Sequence, residues 1–294
     1  VNASRRFALS VIGLLVVVGG LGGWFAQHQA TSKTTNQPRI VATTYAVVQI
    51  ADRLKLPLVG IPTTDNSIPV RYRQVAKVGS PMNPSAEKIA ATKPTAVYSV
   101  TTLKDQFDKS FKQQHITPHF LNLQTVADLQ HVVTQMGQRY DRQRAARQAN
   151  AEIKAAIRTA QQRSHRRSKP RVLVLMGLPG AGYMIGTSKS YVGDLVRLAG
   201  GRNVFTSKTQ EYIQPNDEAI QNAQPQVILR LEHAMPKLVT SQFQQEFKKS
   251  IWQQTPAVKS KRVYDLQEPD FDATANMHVA RALRRVSDWL YPEE

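Results

Sequence analysis

From residue 39 onward, apolar positions fall in short bursts that alternate between two periods. RIVATT (Arg39–Thr44) begins with β-branched residues and predicts a short strand. Tyr45–Leu54 carries Val47, Val48, Ile50, Ala51 and Leu54 at helical spacing, and LVGIP (Leu58–Pro62) follows as a second buried strand. A helix is predicted from about Ser85, with Glu87 in its first turn where an acid suits the dipole, and it stops before Pro94. Thr95–Val100 reads as a strand, Phe107–His115 as a helix and His119–Leu123 as a strand. Strand–helix alternation with short connections implies a parallel sheet covered on both faces.

Between Thr125 and Arg167 the pattern changes. Apart from Gly137 this stretch has no Gly or Pro, and it is rich in Ala, Gln and Arg, which favour helix. It predicts one long helix, or two nearly collinear ones, of about 60 Å if continuous. Beyond Lys169–Pro170 the alternation resumes: strands at Arg171–Pro179, Pro225–Leu231 and Val263–Leu266, helices at Ser190–Gly201 and Asn276–Tyr291. The expected fold is therefore α/β: two Rossmann-like lobes with parallel-rich sheets, joined by one long backbone helix. The expected boundaries are 39–124, 125–168 and 169–294. Ligands of such sheets bind beyond the strand carboxyl ends, and here two such crevices would share one cleft.

Ahead of the lobes, Arg5 and Arg6 precede Phe7–Ala26, twenty residues without a charge. At 1.5 Å per residue that is about 30 Å of helix, enough to cross a bilayer. A positive end before an apolar run reads as a signal sequence or an N-terminal membrane anchor over 1–30; the length favours an anchor. Residues 31–38 read as a polar tether. Either way, the remainder is expected to work outside the cytoplasm, on the outer face of the cell membrane.

Charge then narrows the partners. The 294 residues carry 39 Lys and Arg against 21 Asp and Glu, a formal +18. That balance favours anions, and the compartment argues against nucleic acid. There is no cysteine, which excludes disulfides, thiol catalysis and cysteine-ligated metal centres. The seven histidines form no HExxH or compact zinc spacing, no GxSxG elbow is present, and GLPGAG (Gly177–Gly182) lacks the Lys-Ser/Thr of a phosphate loop. No catalytic set emerges.

Two loops stand apart. VGSPMNPSAEKI (Val78–Ile89) places Met82 among prolines, glycine and small polar residues at the lip of a turn. RLEHAMP (Arg230–Pro236) places His233 just past a buried strand. A lone loop methionine is ordinarily filler, and a lone histidine past a strand is ordinarily a surface or capping residue. Here they fall 151 positions apart, in opposite lobes, each where a sheet should meet the cleft. Methionine with histidine is an axial pair for haem iron, and both bind metal while neutral.

The order of elements resembles the helical-backbone (class III) substrate-binding proteins of ABC importers for iron complexes and cobalamin. The resemblance is nearest to the haem-binding members. It spans Arg39–Tyr291 and is carried by VGSPMNPSAEKIAATKP, YMIGTSKSYVGDLVRLAGGRNVF, EYIQPNDEAIQNAQPQVILRLEHAMP and FDATANMHVARALRRVSDWLYP. It implies a receptor, not an enzyme, that captures haem (iron protoporphyrin IX) and hands it to an ABC transporter permease, with upstream haem-relay proteins as further partners. It also implies Met82 and His233 as iron ligands from opposite faces. Val78, Gly79, Ser80, Tyr183, Met184, Thr187 and Ser188 would line the pocket, with Thr187 or Ser188 meeting the propionates. One departure is visible: LGGW (Leu21–Trp24) has the look of a lipobox, but Trp24 stands where the lipid-bearing cysteine would be. Three other readings remain open at this level. They are a ferric siderophore or cobalamin receptor, an extracellular enzyme on an anionic polymer, and an anchored protein binding acidic cell-wall polymers.

Overall fold

The computed structural model describes residues 37–233 and 235–293. The apolar run and all but the end of the tether lie outside them. Among the described residues no helix is long and apolar enough to cross a membrane. Residues 38–294 cluster as one compact unit containing two main sheets.

The first half runs β1 (Ile40–Ala42), α1 (Tyr45–Arg53), β2 (Leu58–Ile61), β3 (Ala76–Lys77), the hairpin pair β4 (Gly79–Ser80) and β5 (Asn83–Pro84), and α2 (Ala86–Ala91). It continues through β6 (Ala96–Val100), α3 (Lys104–Gln113), β7 (Pro118–Leu121) and α4 (Val126–Arg139). Its sheet has the order β3-β2-β1-β6-β7 with every pair parallel. Residues of β1 and β6 are buried throughout, the mark of a sheet covered on both faces.

A helix α5 (Gln143–Ser164) follows, then β8 (Arg171–Leu178), β9 (Gly182–Gly186), α6 (Tyr191–Leu198), β10 (Arg202–Asn203), β11 (Tyr212–Ile213) and α7 (Asp217–Ala223). The chain closes with β12 (Val227–Leu231), α8 (Pro236–Glu246), α9 (Ser250–Gln253), α10 (Pro256–Lys259), β13 (Val263–Leu266) and α11 (Val279–Leu290). The second sheet has the order β11-β9-β8-β12-β13, with β10 also on β8. Strands β8, β12 and β13 are parallel, while β9 returns antiparallel to β8. The α/β class with parallel-rich sheets is as expected; in the second sheet β9 alone pairs antiparallel, with β8 and β11.

The connecting segment differs from the rod anticipated for 125–168. It is two helices, α4 and α5, folded back on each other: Asn150 Nδ2 donates to the Gln130 carbonyl at 3.0 Å and to Thr134 Oγ1 at 2.9 Å. The turn between them has Asp141 at φ +53, a left-handed conformation that Asp tolerates. Gly137 allows the crossing, since a Cβ there would sit 2.5 Å from the Ala146 Cβ. The helix α5, of 22 residues and about 33 Å, bridges the halves. Its Glu152 pairs with Arg53 of α1, and its Arg163 pairs with Asp288 of α11. Further ties join the halves, from Met277 N to Gln49 Oε1 (3.0 Å), from Ala275 N to the Leu123 carbonyl (2.7 Å) and from Val126 N to Asp194 Oδ2 (2.9 Å).

Candidate functional site

Met82 sits at the tip of the β4–β5 hairpin, where Gly79 pairs with Pro84 and Ser80 with Asn83. Backbone bonds fix the base of this hairpin: Val78 N to the Ile61 carbonyl (3.0 Å), Thr63 N to the Gly79 carbonyl (2.8 Å) and Ser85 N to the Val78 carbonyl (2.7 Å). Gly79 is required, because its φ is +108 and a Cβ would lie 2.5 Å from the Asn83 carbonyl oxygen. Ser85 caps α2 by accepting from Lys88 N, and Gln106 of α3 donates to the Met82 carbonyl at 3.1 Å. Pro81 and Pro84 restrict the backbone on either side of the tip. The turn is therefore held by main-chain bonds while the thioether stands 56% exposed. Burying such a side chain against an apolar ligand is favourable by about 1.5–3 kcal/mol.

His233 follows β12. Arg230 makes a two-pronged bond to Asp265 on β13 (2.7 and 2.8 Å), and buried Glu232 accepts from Thr240 (2.5 Å) and Gln267 (3.0 Å). These bonds and Pro236 at the start of α8 fix the chain around His233. His233 Nδ1 lies 3.2 Å from Asp272 Oδ1, at ion-pair distance though without a squarely aligned hydrogen bond. Glu268 completes a cluster whose ligand-capable atoms lie within 4.8 Å of one another. The contact with the Asp272 carboxylate raises the His233 pKa above its ordinary 6.5, against burial, which lowers it. Burial first, and then the Asp272 charge, raise the Glu268 pKa.

A side-chain bond joins the two halves near His233. Asn66, just past the carboxyl end of β2, donates from Nδ2 to Glu268 Oε2, just past the carboxyl end of β13. The loops that follow β2 and β13 thus touch at the carboxyl ends of the two sheets. An imidazole whose Nδ1 faces a carboxylate presents Nε2 as its free donor atom, the usual arrangement for a metal-ligating histidine.

Of the other expected pocket residues, Val78, Gly79 and Ser80 build the Met82 hairpin itself. Val78 is 1% exposed and packs in the first sheet's core with Val41, Ile89 and Phe107, so its side chain is structural. Gly79 and Ser80 shape the hairpin; the Ser80 hydroxyl accepts from Asn83 N at 3.2 Å. Tyr183 and Met184 alternate along β9 and point to opposite faces. Met184 joins Met176 and Leu178 on the face packed toward α5 and the first half, whereas Tyr183 packs against Phe243 and Trp252 on the far face. There it borders a cavity of about 370 Å³ under α8. Thr187 has no exposed surface, and its hydroxyl donates to the Gln210 carbonyl at 2.5 Å, so it is committed internally and unavailable to a propionate. Ser188 is half-buried and accepts from Ser207 N at 3.5 Å. Glu268 and Asp272, which sequence reasoning passed over, are the residues that join His233. Their position just after VYDL, the strand beside β12, was the available signal.

The periplasmic binding protein family model matches residues 40–269. The chain is 39% identical over 265 residues to the high-affinity heme uptake system protein IsdE of Staphylococcus aureus (strain Newman), covering 90% of each chain. Its structure is similar to that of S. aureus IsdE complexed with heme, with TM-score 0.83 and 39% identity, over 87% of this chain and all of the other. It is likewise similar to an ABC transporter substrate-binding protein from Listeria monocytogenes EGD-e, with TM-score 0.82 and 40% identity, over 88% of this chain and all of the other. An apo periplasmic heme-binding protein, RhuT from Roseiflexus sp. RS-1, at 19% identity and TM-score 0.73, shares the fold. With a family model matched over most of its length and a relative at 39% identity over nine-tenths of it, this chain belongs to the periplasmic binding protein family.

Proposed function

We propose that the protein is a haem receptor for an ABC importer, with iron protoporphyrin IX as cargo held between Met82 and His233. The observation that carries this reading is 39% identity to IsdE over nine-tenths of the chain, supported by a soft, exposed thioether at Met82 and a carboxylate-backed imidazole at His233. Met82 is neutral at every pH, so its binding of iron carries no proton cost. His233 must give up its Nε2 proton to bind, and the Asp272 carboxylate orients the ring while stabilising positive charge on it. Two protein ligands fill both axial positions of the iron, which leaves no open coordination site for oxygen chemistry. The role is capture and delivery, and the protein is not an enzyme.

The ligands come from different halves, so haem would tie the halves together, and release to a permease would begin with the weaker thioether bond. Tethering outside the cytoplasmic membrane by residues 7–26, and receipt of haem from upstream surface relay proteins, belong to the same proposal. A ferric siderophore receptor is less consistent with the site, because Glu268 and Asp272 add negative charge where an anionic chelate would sit. Titration of the purified protein with haem, followed by absorbance, tests the reading. Saturation at one haem per chain is expected, with binding lost in a Met82→Ala/His233→Ala double variant. An unchanged titration in that variant would sink it.

A further inference from the structure

Between Arg139 and Lys169 the chain holds ten Lys and Arg against two acids, Asp141 and Glu152, so close to half of the formal +18 lies in about a tenth of the sequence. The structure concentrates it further. Arg144, Arg147, Lys154 and Arg158 are exposed on α5, and at about 100° per residue they fall within a sector of about 80°. They form a line of about 21 Å. Among the described residues none of the four makes an ion pair; Glu152 is engaged by Arg53. A merely solvated helix face ordinarily interleaves acids at i,i+4, and here Lys154 and Arg158 instead set like charges at that spacing. The line is bordered by two concave surfaces. One, of about 940 Å³, is walled by Arg53, Lys55, Arg142, Arg144 and Arg147, with Asp141 its one acid. The other, of about 520 Å³, is walled by Gln138, Arg147, Asn150 and Lys154, so Arg147 stands between them.

We infer that this ridge is a binding site for a linear polyphosphate-type anion, a chain of phosphate or phosphodiester groups running along α5. A narrow line of cations with flanking grooves matches a chain. A flat bilayer surface calls for a broad basic face with apolar side chains to insert, and the large apolar residues exposed here, Val70, Met82, Met235 and Leu238, all lie on other elements. The ridge carries no aromatic side chain on which a base could stack, so phosphate is read and the bases of a nucleic acid are not. The site lies on the connecting helix, apart from Met82 and His233, and does not depend on what occupies the crevice.

The test uses the full chain and inorganic polyphosphate as probe, with binding measured across a salt series. The ridge variant is Arg144→Gln/Arg147→Gln/Lys154→Gln/Arg158→Gln. The control removes the same charge from scattered exposed positions as Lys208→Gln/Lys248→Gln/Lys259→Gln/Lys261→Gln. Because the ridge positions are exposed, both variants are expected to keep the parent's thermal midpoint. Loss of four phosphate contacts should reduce the slope of log K against log salt by about 3, and lower low-salt affinity about tenfold or more, in the ridge variant alone. Equal losses in ridge and control variants would overturn the proposal in favour of general charge. Ridge-dependent binding to phosphatidylglycerol vesicles without polyphosphate binding would overturn it in favour of a bilayer. An oligonucleotide of equal charge should bind no more tightly than polyphosphate, and tighter binding would contradict phosphate-only recognition.

Discussion

The two loops that carry the proposed ligands are built by opposite means. Around Met82 the main chain supplies nearly all the order: a glycine at positive φ, two prolines, a capped helix and a hairpin with two pairs. Its side chain is exposed. Around His233 the side chains supply the order, through Arg230–Asp265, Glu232 with Thr240 and Gln267, and the Asp272 and Glu268 carboxylates beside the ring. A rigid backbone presenting a soft ligand suits a bond that must be broken readily. A polar web that tunes an imidazole suits the bond that holds. The first loop should therefore be sensitive to backbone change and indifferent to pH, and the second the reverse.

The largest effect expected is at His233: His233→Ala should weaken haem binding by at least about a hundredfold, roughly 2.7 kcal/mol, in a haem-transfer competition with apomyoglobin. Next comes Asp272→Asn, expected to cost about tenfold in affinity, within the range for partners of metal-ligating histidines. Its clearer signature is in pH. Asp272 raises the His233 pKa, so protons compete with iron at higher pH than for an ordinary histidine, and haem affinity falls as pH drops through that raised value. Removing the carboxylate should move the midpoint of the loss to lower pH. For the ligand-free protein the sign reverses. Stability from the His233–Asp272 pair is present below the unfolded value near 6.5 and fades as pH rises through the folded one. Glu268, also raised, adds the same tendency: its buried charge is relieved as it protonates, so its contribution too falls as pH rises. Thermal midpoints of parent and Asp272→Asn from pH 5 to 8 check the sign.

Met82→Ala is expected to cost about tenfold in affinity, about 1.4 kcal/mol, mainly through a faster dissociation rate seen by stopped flow, with no change in the pH profile. The smallest expected effect on the ligand comes from Gly79→Ala. Strain at φ +108 and the clash with Asn83 should destabilise the hairpin by about 1–3 kcal/mol. Haem affinity should fall less than in Met82→Ala, because a displaced thioether can still reach iron. If Gly79→Ala left both stability and affinity at parental values, the backbone-held view of that loop would fail.

Both ligand candidates were legible in the sequence because strand ends are legible. A buried run such as PQVILRL must stop where polar residues begin, and in a parallel sheet that edge is where ligands bind. The hairpin around Met82 was visible from its prolines and glycine. What sequence reading missed depends on tertiary proximity. Glu268 and Asp272 lie 35 and 39 positions beyond His233 and reach it only because β13 pairs with β12. The α4–α5 turn left one trace, Gly137, which reads locally as a weak helix former and matters because Ala146 packs onto it. The family resemblance suggested Thr187 as a propionate contact, yet its burial needs an internal acceptor and finds one at Gln210. The alternation separating Tyr183 from Met184 was in the sequence once β9 is taken as a strand.

The central claim is that Met82 and His233 bind the same iron. Magnetic circular dichroism of the ferric haem complex, recorded into the near infrared for the parent and for Met82→Ala, tests it most directly. The account predicts a low-spin methionine–histidine signature in the parent, replaced in the variant by one with histidine as the sole protein ligand. A parent spectrum without the thioether-to-iron charge-transfer band, or a variant spectrum identical to the parent's, would contradict it.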